Sequence, residues 1–141
     1  MERLCNLLFE LSNEERLTIL THLKQEPMKL TRLSQILKYR PQEASRNVSR
    51  LSEARLIRRD SDGTYHLSPL GEEALRLLDG YRFLSENSDY FASHTLRGIP
   101  GVFADRIGAL VEAEKPREIM LTLSKVKNMM AEEYVLNILR S

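Results

Sequence analysis

Residues 29–70 read KLTRLSQILKYRPQEASRNVSRLSEARLIRRDSDGTYHLSPL, and the punctuation of this stretch decides the fold. Thr31 is a good N-cap, and Leu33, Ile36 and Leu37 recur at helical spacing, which predicts a short helix from Arg32 to about Tyr39. Arg40-Pro41 breaks that pattern. Proline suits the first turn of a helix, so a second helix is expected from Pro41 to Ala54 or Arg55. Ala44, Val48 and Leu51, spaced by four and three, form its apolar back, which leaves Gln42, Ser45, Arg46, Ser49 and Arg50 facing outward. Leu56–Arg59 reads as a strand and Thr64–Leu67 as its return. Between them Asp60-Ser61-Asp62-Gly63 is a turn cluster, and Asp62-Gly63 suits a hairpin with positive φ. Ser68-Pro69 with Glu72 is an N-cap, a first-turn proline and an early acid in order. They open a helix carried by Ala74, Leu75, Leu77 and Leu78, which continues through Tyr81, Phe83 and Leu84 to about Glu86.

Upstream, residues 2–11 carry apolar side chains at 4, 7, 8 and 11, a helical stripe. Ser12 with Glu15 three residues later forms a capping box for a helix from about Asn13 to Gln25. Leu17, Ile19, Leu20 and Leu23 face inward on it, and Pro27 stops it. Downstream, residues 87–101 mix aromatic residues with turn formers and read as a loop. Residues 102–114 are amphipathic, with Phe103, Ile107, Leu110 and Val111 on one side. Lys115-Pro116 breaks the chain before a long helical pattern over 117–140.

The 141 residues have a net charge of only +1, but the charge is unevenly spread. From Lys24 to Arg59 there are ten basic residues against three acids, +7 in a quarter of the chain. A basic island of this kind is the electrostatic footprint of phosphate binding. The single cysteine, Cys5, excludes an internal disulfide or a thiolate cluster within one chain. Its leucine neighbours make it a small buried hydrophobe in this reading. His22, His66 and His94 have no ligand-like spacing, and no cofactor or metal is expected. With no signal peptide and no membrane-length apolar run, the expected setting is reduced and cytoplasmic, with no membrane partner.

A helix with an apolar back and a hydrogen-bonding front, held by a short helix before it and followed by a basic hairpin, suits the DNA major groove. Arginine pairs bidentately with guanine and glutamine with adenine, while serine bonds to a base or a phosphate. Gln42, Ser45, Arg46, Ser49 and Arg50 are the candidate readers. Thr31, Arg40, Arg58, Arg59 and Thr64 are the flanking candidates for backbone or minor-groove contact. On LTRLSQIL, NVSRLSEARLI, IRRDSDGTYHL and SPLGEEAL, the chain resembles a winged helix-turn-helix of the arsenical-repressor-like superfamily. The resemblance implies a mainly α fold: a three-helix core, a two-stranded β wing and additional C-terminal helices. That superfamily usually has glycine where this chain has Arg55. Its metal sensors use cysteine or histidine clusters that are missing here, so metal sensing is not implied. The segment LLDGYRFLSENSDYFASHTLRGIPGVFADRIGAL, Leu77 to Leu110, resembles the start of the sensory domain in archaeal regulators of the methanogenesis-regulator type. Those regulators are considerably longer, so the chain is read as carrying only the beginning of such a region, its effector unknown.

The expected organisation is a DNA-binding domain over 1–86, including the N-terminal helix, and a helical segment over 87–141 for dimerisation or sensing. A homodimer bound to double-stranded DNA is expected, because two copies let two helices meet successive major grooves. Helices 2–11 and 117–140 are the candidate dimer elements, the latter competing with packing on 102–114. The rival reading is a winged helix used as a protein-interaction module, since fold does not dictate function. An enzyme is not expected. Ser45, Ser49 and His66 form no recognisable triad, the adjacent glutamates at 72–73 and 132–133 point apart on a helix, and no phosphate loop occurs.

Overall fold

The computed structural model describes residues 1–95, 97 and 105–110. The fold is mainly helical with a small antiparallel sheet, and the chain divides into two compact units, Met1–Leu75 and Arg76–Ser141. The first unit contains α1 (Glu2–Leu11), α2 (Glu14–Gln25), β1 (Met28–Lys29), α3 (Leu30–Leu37), α4 (Pro41–Glu53), β2 (Ile57–Arg59), β3 (Thr64–Leu67) and the start of α5 (Pro69–Glu86). α5 runs without a break across the division, which falls earlier than the limit at residue 86 read from the sequence.

Each helix start has a local cause. α2 is capped by Asn13, whose side-chain oxygen accepts from the Arg16 N–H at 3.0 Å. This corrects the expected Ser12 capping box: the Ser12 hydroxyl turns back to donate to the Phe9 carbonyl. α3 begins at Leu30, so Thr31 lies in its first turn and is not its cap. At α4, Pro41 takes the first position, and the Glu43 carboxylate accepts the free Arg40 N–H at 3.2 Å. Ser68 accepts from the Gly71 N–H at 3.0 Å to start α5, and its hydroxyl donates to the Arg55 carbonyl at 2.6 Å. That second bond ties the start of α5 to the end of α4.

α3 and α4 end in the same way. Lys38 and Arg55 adopt φ of 55° and 60°, in the left-handed region. At the end of α4, the Arg55 N–H donates to Ser52 O and the Leu56 N–H to Leu51 O, both at 3.0 Å. At the end of α3, Lys38 N–H donates to Gln35 O at 3.4 Å and Tyr39 N–H to Ser34 O at 3.1 Å. This pairing satisfies the last carbonyls and ordinarily employs glycine, because a side chain in this conformation costs about 1–2 kcal/mol.

The sheet order is β1-β3-β2. Arg58 pairs with His66 and Arg59 with Tyr65 across the hairpin, and β1 adds Met28↔Tyr65 and Lys29↔Thr64 on the other side. β1 was not expected; two residues after Pro27 have no periodicity to announce them. The hairpin turns through Asp60–Gly63, with Gly63 N–H donating to Asp60 O at 3.0 Å and positive φ only at Gly63. This is a longer connection than a two-residue turn at Asp62-Gly63.

Ile19, Leu20, Leu33, Ala44, Leu51 and Leu56 are completely buried, so the core lies where α2, α3 and α4 meet the start of β2. Ala44, Val48 and Leu51 are buried on α4 as their spacing predicts, while Ile36 on α3 stays 37% exposed. Gly71 lets α5 lie directly on the chain before β2: a Cβ there would come within 2.1 Å of the Leu56 carbonyl oxygen. On α1 only Leu11 is buried; Leu4, Leu8 and Phe9 are exposed, and so is Cys5. The buried Cys5 expected from its leucine neighbours is therefore corrected. Its face of α1 has no cover among the described residues, so apolar spacing there did not mean burial.

In the second unit, α5 continues and α6 (Ser88–Ser93) follows within the segment read as loop. The Asn87 amide donates to Phe83 O at 2.9 Å, and the Phe83 and Phe91 rings meet edge to face at 6.1 Å. Gly108 lets the turn at Ile107–Leu110 come against α5: a Cβ on it would lie 2.6 Å from Gly80 N. The predicted helix over 117–140 and most of that over 102–114 lie outside the described residues. Among the described residues, no helix is long and apolar enough to cross a membrane.

Candidate nucleic-acid interface

α4 separates its chemistry by face. Its back is Ala44, Val48 and Leu51, buried in the core. Gln42, Ser45, Arg46 and Ser49 are exposed, and their spacing of three and four puts them in one stripe. These four expected readers are therefore together and open.

Arg50, the fifth, has a different position. Its guanidinium makes a two-point bond to the Glu10 carboxylate of α1, Nε to Oε2 at 3.1 Å and Nη2 to Oε1 at 2.5 Å. Glu10 also sits 3.2 Å from the buried Arg16 guanidinium, which donates to the carbonyls of Phe9 and Glu10. Both arginines also lie near the Phe9 ring, Arg50 at 5.4 Å and Arg16 at 5.8 Å from its centroid. Hydrogen bonding and charge from Glu10 raise the Arg50 pKa above its ordinary value, so the group is charged at every working pH. Arg50 is thus the tether that holds α4 to α1.

Asn47, next to Arg46, is the second tether. It is buried, and its amide donates to Glu15 of α2 at 2.5 Å. Glu15, expected to complete a capping box, instead sets the position of α4. A cleft of about 280 Å³ lies here, lined by Phe9, Asn13, Glu15, Arg16, Glu43, Arg46, Asn47 and Arg50. The sequence does not mark Glu10, and it marks Glu15 only as a capping residue. Glu10 and Arg50 are forty residues apart, Glu15 and Asn47 thirty-two, and no local pattern links them.

The flanking candidates fall into two places. Thr31 and Thr64 come together because Lys29 pairs with Thr64 in the sheet. With Glu26, Met28, Lys29, Arg32 and Gln35 they line an open recess of about 470 Å³. Lys29, Arg32 and Gln35 are additions to the expected set, brought there by β1. Arg58 and Arg59 sit on β2. Arg58 donates to Asp60 at 3.0 Å, and Arg59 lies 5.5 Å over the Tyr65 ring. Asp60 also lies 2.6 Å from His66 Nε2, without the in-line geometry of a hydrogen bond. At the tip, Asp62 accepts from the Thr64 N–H at 3.0 Å and from its hydroxyl at 2.8 Å. The Thr64 N–H first, and the hydroxyl second, hold the Asp62 carboxyl below its ordinary pKa. Arg40 is exposed just ahead of α4.

Among the described residues, no three His, Cys, Asp or Glu side chains are grouped to hold a metal. No family model, curated protein or solved structure matches this chain. Any functional reading therefore stands on the geometry and chemistry of these faces.

Proposed function

We propose that the chain is a sequence-specific regulator of transcription that binds double-stranded DNA as a winged helix-turn-helix. α3 and α4 are the helix pair, α4 the recognition helix in the major groove, and the β2–β3 hairpin the wing on the backbone or minor groove. The observation that carries this reading is the exposed stripe Gln42, Ser45, Arg46 and Ser49 on a helix whose opposite face is anchored in the core. Side chains of these types hydrogen-bond to base edges, and a rigid back is what fixes their register. The excess of basic residues from Lys24 to Arg59 supports attraction to phosphate. The exposed Leu4 and Leu8 on α1 support a homodimer, whose two recognition helices would meet half-sites about 34–36 Å apart.

The test is selection of genomic duplexes, followed by affinity across a salt series for the wild type and Arg46→Ala. A selected duplex should bind far more tightly than random DNA, with a steep salt dependence. Arg46→Ala should cut the discrimination between the two by about 1–3 kcal/mol. Equal weak binding of every duplex at physiological salt would overturn this reading in favour of a protein-interaction module.

A further inference from the structure

We infer that Lys38 and Arg55 grip the phosphodiester backbone at the two ends of α4, an inference that rests on the DNA reading above. They are the two non-glycine residues of positive φ among the described residues, and they flank one helix. Each occupies the left-handed position of the same terminating turn, where glycine would be free of the steric penalty. Each is a long cation, and each is exposed. Neither side chain makes a hydrogen bond or ion pair among the described residues, so no polar contact of the side chain itself offsets the strain. Glycine would make the same turn without the strain, so a long cation at both positions points to a binding role outside the fold.

The preference of helix C-termini for cations does not account for the pair. A basic residue within the last helical turn would gain the same attraction at ordinary φ. α4 already has one there in Arg50, and α3, free to use the same solution, has none. The location suits phosphate. A helix of 13 residues is about 20 Å long, whereas the major groove is about 12 Å wide. A helix seated in that groove has its ends beside the flanking phosphate rows. Lys38 lies two residues before the exposed Arg40, and Arg55 three before Arg58, so each end gathers its own cations.

The experiment compares the full chain with Lys38→Gly, Arg55→Gly, Lys38→Gln, Arg55→Gln and Arg55→Lys. Affinity is measured for a selected and a random duplex from 50 to 200 mM salt, and stability by urea unfolding. Glycine removes charge and strain together, glutamine removes charge alone, and lysine at 55 keeps the charge. Both glycine and both glutamine variants should lose affinity for the two duplexes alike. Each should lower the salt slope by about 0.9, which is about a 3.5-fold smaller change in affinity over that salt range. The glycine variants should also unfold at higher urea than wild type, and Arg55→Lys should keep the wild-type slope. Wild-type binding with slopes unchanged in the glycine and glutamine variants would overturn the inference and leave the DNA reading standing. A wild type with no salt-dependent binding to any duplex would overturn both.

Discussion

Asp62 is the residue whose behaviour is most directly testable in the hairpin. Its carboxylate closes the turn by accepting the Thr64 N–H and hydroxyl, and its pKa is held down in the folded chain. A carboxyl that is more acidic folded than unfolded favours the folded state only when ionised. Its contribution is complete above the unfolded value of about 3.9 and is lost as the pH falls through the lower folded value. Asp62→Ala should therefore lower the urea midpoint at pH 7, and its gap from wild type should close as the pH falls from 4 towards 2. A gap of the same size at both ends would mean that Asp62 does not act through its charge. At this scale the sequence was legible wherever one residue type answers one local need. Pro41 at a helix start, Ser68 at a cap, and Ala44, Val48 and Leu51 on a buried face are read from their neighbours alone. Arg50 was read as a free reader because its spacing matches Arg46. Only the fold brings Glu10 to it.

Among the elements, α5 and the strand pair depend on one glycine. The start of α5 runs against the backbone ahead of β2, with Ser68 bonded to Arg55 and the Ser68 N–H to Leu56 O at 3.0 Å. Any side chain on Gly71 meets the Leu56 carbonyl, a backbone atom that cannot swing aside. Gly71→Ala should cost about 3 kcal/mol or more, at the upper end for overpacking, read as a drop in the midpoint of thermal or urea unfolding. A change under about 0.5 kcal/mol, the range of neutral surface substitutions, would show that α5 can move away without loss. The helices over 2–11, 13–25, 41–55 and 69–86 were legible within a residue or two, because each has either an apolar stripe or a start signal. β1 was not, since two residues hold no period. α6 was not, since Ser88–Ser93 is rich in residues that also form turns. β1 matters for the surface, because it is what brings Thr31 and Lys29 to Thr64 and forms the recess there.

Across the first unit, the position of α4 is set by two glutamates that belong to other helices. Glu10 of α1 holds Arg50 and Arg16 at once, and Glu15 of α2 holds Asn47. Removing Glu10 leaves two guanidinium groups without their carboxylate, and one of them, Arg16, is buried. Removing Arg50 leaves Glu10 still paired with Arg16. Glu10→Ala should therefore destabilise the chain more than Arg50→Ala does, because an uncompensated buried charge is the costlier outcome. Equal urea midpoints for the two variants would mean that Arg16 finds enough partners in the Phe9 and Glu10 carbonyls. The same arrangement has a consequence for anyone wishing to borrow the helix pair and hairpin alone. The stretch 29–70 looks like a self-contained cassette, yet two of the carboxylates that orient its central helix come from residues 10 and 15. Grafted onto another scaffold without α1 and α2, it would carry its exposed stripe but not its aim.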